Sequence, residues 1–111
     1  MAEALQRLAA LRERAEAAVV EGHRQFNPGW HLALDMRNML RVSECIAKAA
    51  LEREESRGGH TRDEFPAADP EWGKTNLICT LNDDNSITLT RKPLPQMPDE
   101  LKQVIEEGAH T

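Results

Sequence analysis

The chain has 111 residues, a length that limits it to one small domain. Its net charge is −5. It is 40% hydrophobic but contains no Tyr, two Phe and two Trp, so its core must be built largely from aliphatic residues and Met. The shortage of aromatic residues and the lack of a basic stripe argue against a nucleic-acid partner. Apolar runs are too short to cross a bilayer, and no signal peptide is recognisable. We therefore expect a cytosolic protein, or one at a cytosolic face, without direct membrane insertion.

Two amphipathic helices are predicted in the first half of the chain. The stretch from Ala2 to about Val20 is rich in Ala, Leu, Glu and Arg, with apolar residues near helical spacing. Gly22 interrupts this pattern. Asn27 can then cap a second helix, in which Pro28 suits the first position because its missing N–H needs no partner. This second helix is predicted to run to about Arg57.

The second helix carries apolar residues over more than one narrow stripe, which predicts contacts with at least two neighbours. The apolar residues are Trp30, Leu32, Leu34, Met36, Met39, Leu40, Val42, Ile46, Ala47, Ala50 and Leu51.

The stretch "ESRGGHTRDEFP" (55–66) combines a charged cluster with a pair of glycines. Gly58 and Gly59 are expected to end the second helix, and Arg53 and Arg57 to complement its dipole. Residues 52–71 carry seven acids and three bases, and two prolines predict an irregular acidic loop over 61–72.

The remainder of the chain predicts a β-hairpin, an extended segment and a short helix. The strand-like runs "TNLICTL" and "SITLTRK" flank the turn-forming "NDDN". The pattern leaves open whether Ile78 or Cys79 faces the same side as Ile87. The prolines of "KPLPQMP" favour extended backbone, and 99–107 places Leu101, Val104 and Ile105 on one face of a terminal helix.

No short motif assigns an enzymatic activity. The chain lacks GxGxxG, GxxxxGK[ST], HExxH and GxSxG. Cys45 and Cys79 have no metal-ligand spacing and are interpreted as reduced packing residues. We therefore assign no metal-binding, cofactor-binding or catalytic residue within the chain.

Four histidines are present, and one is a candidate for function. His23 and His110 are interpreted as solvated, and His31 as a surface or capping residue. His60 follows two glycines that permit close approach to another backbone, and Arg57, Arg62 and Asp63 can set its charge. A structural or docking loop is favoured over catalysis, because no nucleophile lies nearby and one loop cannot enclose a substrate.

The segment "FNPGWHLALDMRNMLRVSECIAKAALEREESRGGHTRDEFP" resembles the C-terminal helical domain of the flavoprotein subunit of succinate dehydrogenase and fumarate reductase, a domain shared with L-aspartate oxidase. The resemblance depends on Ser56-Arg57-Gly58 followed by His60, Arg62, Asp63 and Pro66, after a helix with an "LRNML"-like centre. "NLICTL" and "ITLTRKPLP" are similar to that domain's closing hairpin and tail, which favours the succinate dehydrogenase branch.

The resemblance implies an FAD-dependent oxidoreductase of the tricarboxylic acid cycle and electron transport. Its longer chain interconverts succinate and fumarate and passes electrons to an iron-sulfur subunit, at the cytoplasmic face of a membrane. The flavin-binding glycines, the flavin-linked histidine and the substrate-binding residues of that family are not found in this chain. No FAD is therefore expected here, and Arg57, His60, Arg62 and Asp63 are expected to end a helix and dock on the flavin-binding domain.

The resemblance also implies a mainly α fold. We expect a helical hairpin from a three-helix, spectrin-repeat-like bundle whose first helix is missing, followed by a small β-hairpin and a short C-terminal helix. Residues 1–66 are expected to form two long antiparallel helices and the helix-end loop. Residues 67–111 are expected to form the linker, hairpin, Pro-rich tail and last helix of the same domain, within a fragment of a larger chain.

A fragment of this kind is expected to leave an apolar groove exposed and to form a homodimer or higher assembly through it. The alternative is a free-standing helical adaptor that binds a partner helix in the groove. An independent small enzyme that uses His60 is the third and least favoured hypothesis.

Overall fold

The computed structural model describes residues 2–108. Helices α1 (Ala2–Glu16) and α2 (Pro28–Glu52) are followed by a single 3₁₀ turn (Trp72–Lys74), strands β1 (Thr75–Leu81) and β2 (Ile87–Pro93), and helix α3 (Asp99–Gly108). The fold is mainly α with a small two-stranded antiparallel hairpin, which confirms the predicted fold class.

Helices α1 and α2 form an antiparallel hairpin. Arg12 contacts Glu44 near the centre, with 3.3 Å between Nη1 and Oε2, while Ala2 and Leu51 line one cleft at the end of the pair. Ala15 on α1 and Ala47 on α2 are both buried.

Both helices end earlier than predicted. Helix α1 stops at Glu16 rather than near Val20, although the only interruption visible in the sequence is Gly22, which has a φ of 93°. Helix α2 begins as predicted: Asn27 Oδ1 accepts the N–H of Gly29 at 3.1 Å, and Pro28 occupies the first turn.

The prediction that α2 runs to about Arg57 and ends at Gly58 and Gly59 is wrong. The helix ends at Glu52, because Arg53 has turned to extended backbone with φ −78° and ψ 105°. Several side chains beyond the helix then hold this end in place.

The β-hairpin forms over the two predicted runs, with Leu81 paired to Ile87 and Cys79 paired to Leu89. Directly paired residues share a face, and side chains two apart along a strand also share it. Cys79, and not Ile78, therefore faces the same side as the buried Ile87. Asn85 takes a φ of 64° in the connecting turn, as its short polar side chain allows.

The predicted irregular loop and terminal helix are also present. No helix or strand interrupts the described chain between 53 and 71, and α3 places Leu101, Val104 and Ile105 on one side, where all three stay exposed. His110 lies outside the described residues, while His23 and His31 are exposed on the surface, as expected.

The molecule is elongated, with a radius of gyration of 20.1 Å. A compact chain of this length would have a radius of about 13 Å. It exposes 9034 Å² of surface, whereas a compact monomer of its mass exposes about 6,200 Å². Much apolar surface therefore lacks cover within the described residues.

Candidate functional site

The chain that follows α2 folds back on the helix end and forms a dense polar cluster over residues 53–75, which we call the corner. Its centre is Glu55, whose side chain is fully buried. The Glu55 carboxylate accepts hydrogen bonds from Arg53 Nη1 at 2.5 Å, from Arg57 Nε at 3.0 and 3.1 Å, and from the Asp69 N–H at 2.8 Å. These donors satisfy both carboxylate oxygens.

The surroundings of Glu55 favour its charged form. The hydrogen bond from Arg57 contributes most to lowering the pKa of Glu55 to about 2. Burial opposes this change, while the Asp69 N–H and Arg53 add to it. Glu55 is therefore ionised at neutral pH and holds the corner as a buried anion between two arginines.

Arg62 caps the C-terminal end of α2. Its Nη1 donates to the carbonyls of Ala50 and Leu51 at 3.0 Å each, and to that of Arg53 at 3.2 Å. The last carbonyls of a helix lack partners within it, and a cation there also complements the helix dipole. Nε2 of His60 lies 3.2 Å from the same Arg53 carbonyl. Arg62 thus has the role that the sequence analysis gave to Arg53 and Arg57.

The two glycines lie in a tight turn rather than at the helix end. Arg57 and His60 exchange backbone hydrogen bonds of 2.8 and 3.0 Å across this turn, and Gly58 inside it has a φ of 58°. This conformation favours glycine. The turn brings His60 back against the helix end, where its ring approaches the Arg53 carbonyl.

Ser56 forms hydrogen bonds with the loop that follows it in the chain. Its hydroxyl donates to the Phe65 carbonyl at 2.8 Å and accepts the Arg62 N–H at 2.9 Å, and its own N–H donates to the Ala67 carbonyl at 3.0 Å. Ser56 therefore positions the backbone from which the Arg62 side chain extends.

Trp72 joins the corner to the β-hairpin. Its ring is in contact with two guanidinium groups, with the Cζ atoms of Arg53 and Arg91 at 5.1 and 4.3 Å from its centroid. Nη2 of Arg91 also lies 2.6 Å from Oε1 of Glu52, a residue 39 positions earlier in the chain. Next to Trp72, a side chain on Gly73 would place Cβ 2.8 Å from Nη2 of Arg57. The corner thus depends on long-range contacts that no local pattern reveals.

The structure places the four predicted site residues in two groups. Arg62 and His60 face the helix end, and the Arg62 side chain is only 11% exposed. The Arg57 side chain is 45% exposed even though it binds Glu55 and the Asp69 carbonyl. Asp63 is exposed beside an open cleft. The sequence analysis missed Glu55, although an acid between Arg53 and Arg57 was a visible signal.

A second surface of interest lies on α2. One face of α2 meets α1 and another meets the β-hairpin. A third face, which is apolar, has no cover among residues 2–108. We call this face the open stripe; it consists of Leu32, Met36, Met39, Val42 and Ile46, which are 65, 39, 67, 57 and 64% exposed. It confirms that α2 has more apolar surface than one neighbour can cover.

No group of three or more His, Cys, Asp or Glu side chains within 2–108 is placed to hold a metal ion. Over the same residues, no helix is long and apolar enough to cross a membrane. The polar atoms at the corner's centre are already bonded to protein groups.

Comparison with known proteins gives one consistent family. The model of the family "Fumarate reductase flavoprotein C-term" matches residues 1–104. The fumarate reductase flavoprotein subunit of Mycobacterium tuberculosis is 32% identical over 101 residues, which cover 84% of this chain and 17% of that protein.

Two further relatives are similar over different extents. The succinate dehydrogenase flavoprotein subunit of Coxiella burnetii is 37% identical over 70 residues, which are 62% of this chain and 12% of that protein. L-aspartate oxidase of Streptomyces coelicolor is 29% identical over 101 residues, which are 88% of this chain and 17% of that protein. The chain spans less than a fifth of the length of these relatives. The match over residues 1–104 shows that the chain belongs to the family of fumarate reductase flavoprotein C-terminal domains.

Proposed function

We propose that this domain is part of an FAD-dependent enzyme that interconverts succinate and fumarate and passes electrons to an iron-sulfur subunit. The observation that carries the proposal is the family match over residues 1–104. The proposed enzyme works in electron transport and the tricarboxylic acid cycle, at the cytoplasmic face of a membrane.

The described residues do not fit FAD. Their one sheet is a two-stranded antiparallel hairpin, whereas dinucleotide sites of the usual kind place the pyrophosphate at a helix that follows a parallel strand. The corner's buried carboxylate is also saturated by protein donors. In this proposal other parts of a longer chain hold the flavin, and we assign no reaction step to this domain.

In this proposal the domain docks on the flavin-binding domain of the same chain. Arg57 and Asp63 are exposed enough to meet a partner directly, while His60 and Arg62 hold the loop that presents them. The open stripe of α2 supplies further apolar contact area. Partly exposed charges of both signs favour one orientation of a partner over others.

The longer reading frame that contains this chain provides the test. Its product is expected to bind FAD and to oxidise succinate or reduce fumarate. His60→Ala and Asp63→Asn are expected to lower its thermal stability and change turnover less than about 10-fold, with Glu54→Gln, at an exposed position, as the matched control. A loss of about 10² or more in turnover without unfolding would instead give His60 an acid–base role.

A longer reading frame without flavin-binding glycines would contradict the proposal that the domain belongs to a flavoprotein.

We also propose that the isolated chain self-associates through the open stripe, with a second copy as the occupant. The stripe spans about four helical turns, which suits a helix laid along it. The exposed area of 9034 Å² leaves ample surface for a dimer interface. Met39→Lys is expected to shift the sedimentation of the chain towards monomer, and Asn38→Lys, its exposed neighbour, to leave it unchanged. A wild-type chain that sediments as a monomer at high concentration contradicts this proposal.

The open stripe also favours the second candidate function, a free-standing adaptor for a partner helix. The same reading frame separates the two. A coding sequence that starts at Met1 supports the adaptor, whereas an upstream flavin-binding segment supports the flavoprotein.

A further inference from the structure

The only two cysteines of the chain meet at the contact between α2 and the β-hairpin. Cys45 lies on α2 and Cys79 on β1, 34 residues later, and Sγ of Cys79 is 3.9 Å from the Cys45 carbonyl oxygen. Both are free thiols and both are half-buried, which leaves them within reach of small reagents. This contact goes beyond simple packing because it brings two oxidisable side chains together.

The residues around the pair hold the hairpin in register on the helix. Arg41, Cys45, Lys48 and Glu52 recur at the spacing of one helical face. The three charged residues of this set each have a polar contact to the hairpin: Arg41 with Asn85 at 3.2 Å, Lys48 with the Ile87 carbonyl at 3.1 Å and Glu52 with Arg91 at 2.6 Å. Cys45 thus lies between polar contacts that set the register of the hairpin on the helix.

The surroundings of Cys79, which lies against the backbone of Cys45, raise the pKa of its thiol. Burial raises the pKa of Cys79 most, and the Cys45 thiolate and a hydrogen bond with the Cys45 side chain raise it further. Lys48 opposes this change. Because only a thiolate attacks, the raised pKa of Cys79 disfavours it as the first nucleophile towards an oxidant.

We propose that Cys45 and Cys79 are a reversible redox pair that forms a disulfide between α2 and β1. Disulfides in reducing compartments are transient and respond to redox conditions, so the thiol form is the resting state.

The reaction with a small disulfide balances without another oxidant. The Cys45 thiolate attacks the reagent, forms a mixed disulfide and expels one thiol. Cys79 loses its proton to solvent and attacks the Cys45 sulfur, which forms the internal disulfide and expels the second thiol. Two protein thiols are oxidised, and one small disulfide is reduced to two thiols.

The bond would close a loop that contains the whole corner, from Arg53 to Thr75. A cross-link over this many residues restricts the unfolded chain and is expected to raise Tm by on the order of 10 °C. It would also lock the hairpin to the helix, a contact that otherwise depends on half-exposed polar groups.

The test treats the chain with oxidised glutathione and follows it by mass spectrometry. The expected product has the mass of a single chain that has lost two hydrogen atoms, and it no longer reacts with iodoacetamide. Its digest is expected to yield one linked peptide pair, which contains Cys45 and Cys79. Its Tm is expected to be higher than that of the reduced chain, and dithiothreitol should reverse both changes.

Two single variants separate the roles of the thiols. Cys79→Ser is expected to accumulate the glutathione adduct on Cys45, and Cys45→Ser to react several-fold more slowly. Neither variant should gain thermal stability on oxidation. A wild-type chain that carries two glutathiones, forms intermolecular disulfides only, or gains no thermal stability when internally linked would overturn the proposal.

Discussion

At the residue scale, Glu55 decides how the corner is held. A fully buried carboxylate is unfavourable unless donors surround it, and here two arginines and a backbone N–H do so. Removal of the charge would leave those arginines without their common anion. Glu55 is therefore a structural residue, even though its pKa is strongly displaced.

The first prediction concerns Glu55 and pH. Its pKa falls from 4.5 to about 2 on folding, so its stabilising contribution is complete above pH 4.5 and is lost as the pH falls towards 2. Glu55→Gln is expected to lower Tm by on the order of 10 °C at pH 7 and to flatten the pH dependence in that window. Glu54→Gln, at the exposed neighbouring position, should retain the wild-type profile. Thermal unfolding between pH 2 and pH 7 measures both effects.

The second prediction concerns the Arg62 cap. Arg62→Ala leaves three carbonyls at the end of α2 without their charged donor, so we expect a loss of about 2–3 kcal/mol in the free energy of unfolding. Arg7→Ala, which removes an exposed ion pair with Glu3, should cost less than about 0.5 kcal/mol. Urea denaturation gives both values. Equal losses in the two variants would argue against the cap.

At the element scale, the end of α2 is set by contacts with the segment beyond it rather than by a helix-breaking residue. Arg53 leaves the helical conformation where its guanidinium reaches Glu55 and the carbonyls of Trp72 and Thr75. The glycine pair lies further along the chain, in the turn that returns His60 to the helix. The early helix end and the corner are therefore consequences of the same contacts.

The third prediction separates the two glycines. Gly58 has a φ of 58°, which costs other residues about 1–2 kcal/mol, whereas Gly59 lies outside that region of backbone conformation. Neither position has atoms within 4 Å of an added Cβ, so steric clash does not differ between them. Gly58→Ala is expected to lower the free energy of unfolding by that amount, and Gly59→Ala to change it little. The reverse order in chemical denaturation would contradict the assigned turn geometry.

At the scale of the whole molecule, Trp72 connects the helical hairpin and the β-hairpin. It is one of very few buried large side chains among residues 2–108, and guanidinium groups from both sides lie against its ring. The relative position of the two halves therefore depends on this stack and on the polar contacts along α2.

The fourth prediction tests that connection. Trp72→Ala is expected to cost about 3–5 kcal/mol and to increase amide exchange in β1 and β2 more than in α1. Phe26→Ala, at a position 95% exposed, should change the free energy of unfolding by less than about 0.5 kcal/mol. Hydrogen exchange followed by mass spectrometry distinguishes a detached hairpin from uniform destabilisation.

The sequence by itself determined the elements whose causes are local. The Asn27 cap, the hairpin around "NDDN" and the apolar face of α3 follow from side chains within a few residues of each other. The family was visible in the same way, because its motif is a contiguous run around Arg57 and His60.

Only the tertiary structure decided where α2 ends, which arginine caps it and why Glu55 is buried. These features depend on contacts such as Arg91 with Glu52 and Asp69 with Glu55, between residues far apart in the chain. No glycine or proline follows Glu52 before Gly58, so no local pattern marks the place where Arg53 leaves the helix to contact Glu55 and Trp72. Contacts with residues far away in the sequence can override local helix propensity, and these contacts are known only from the folded structure.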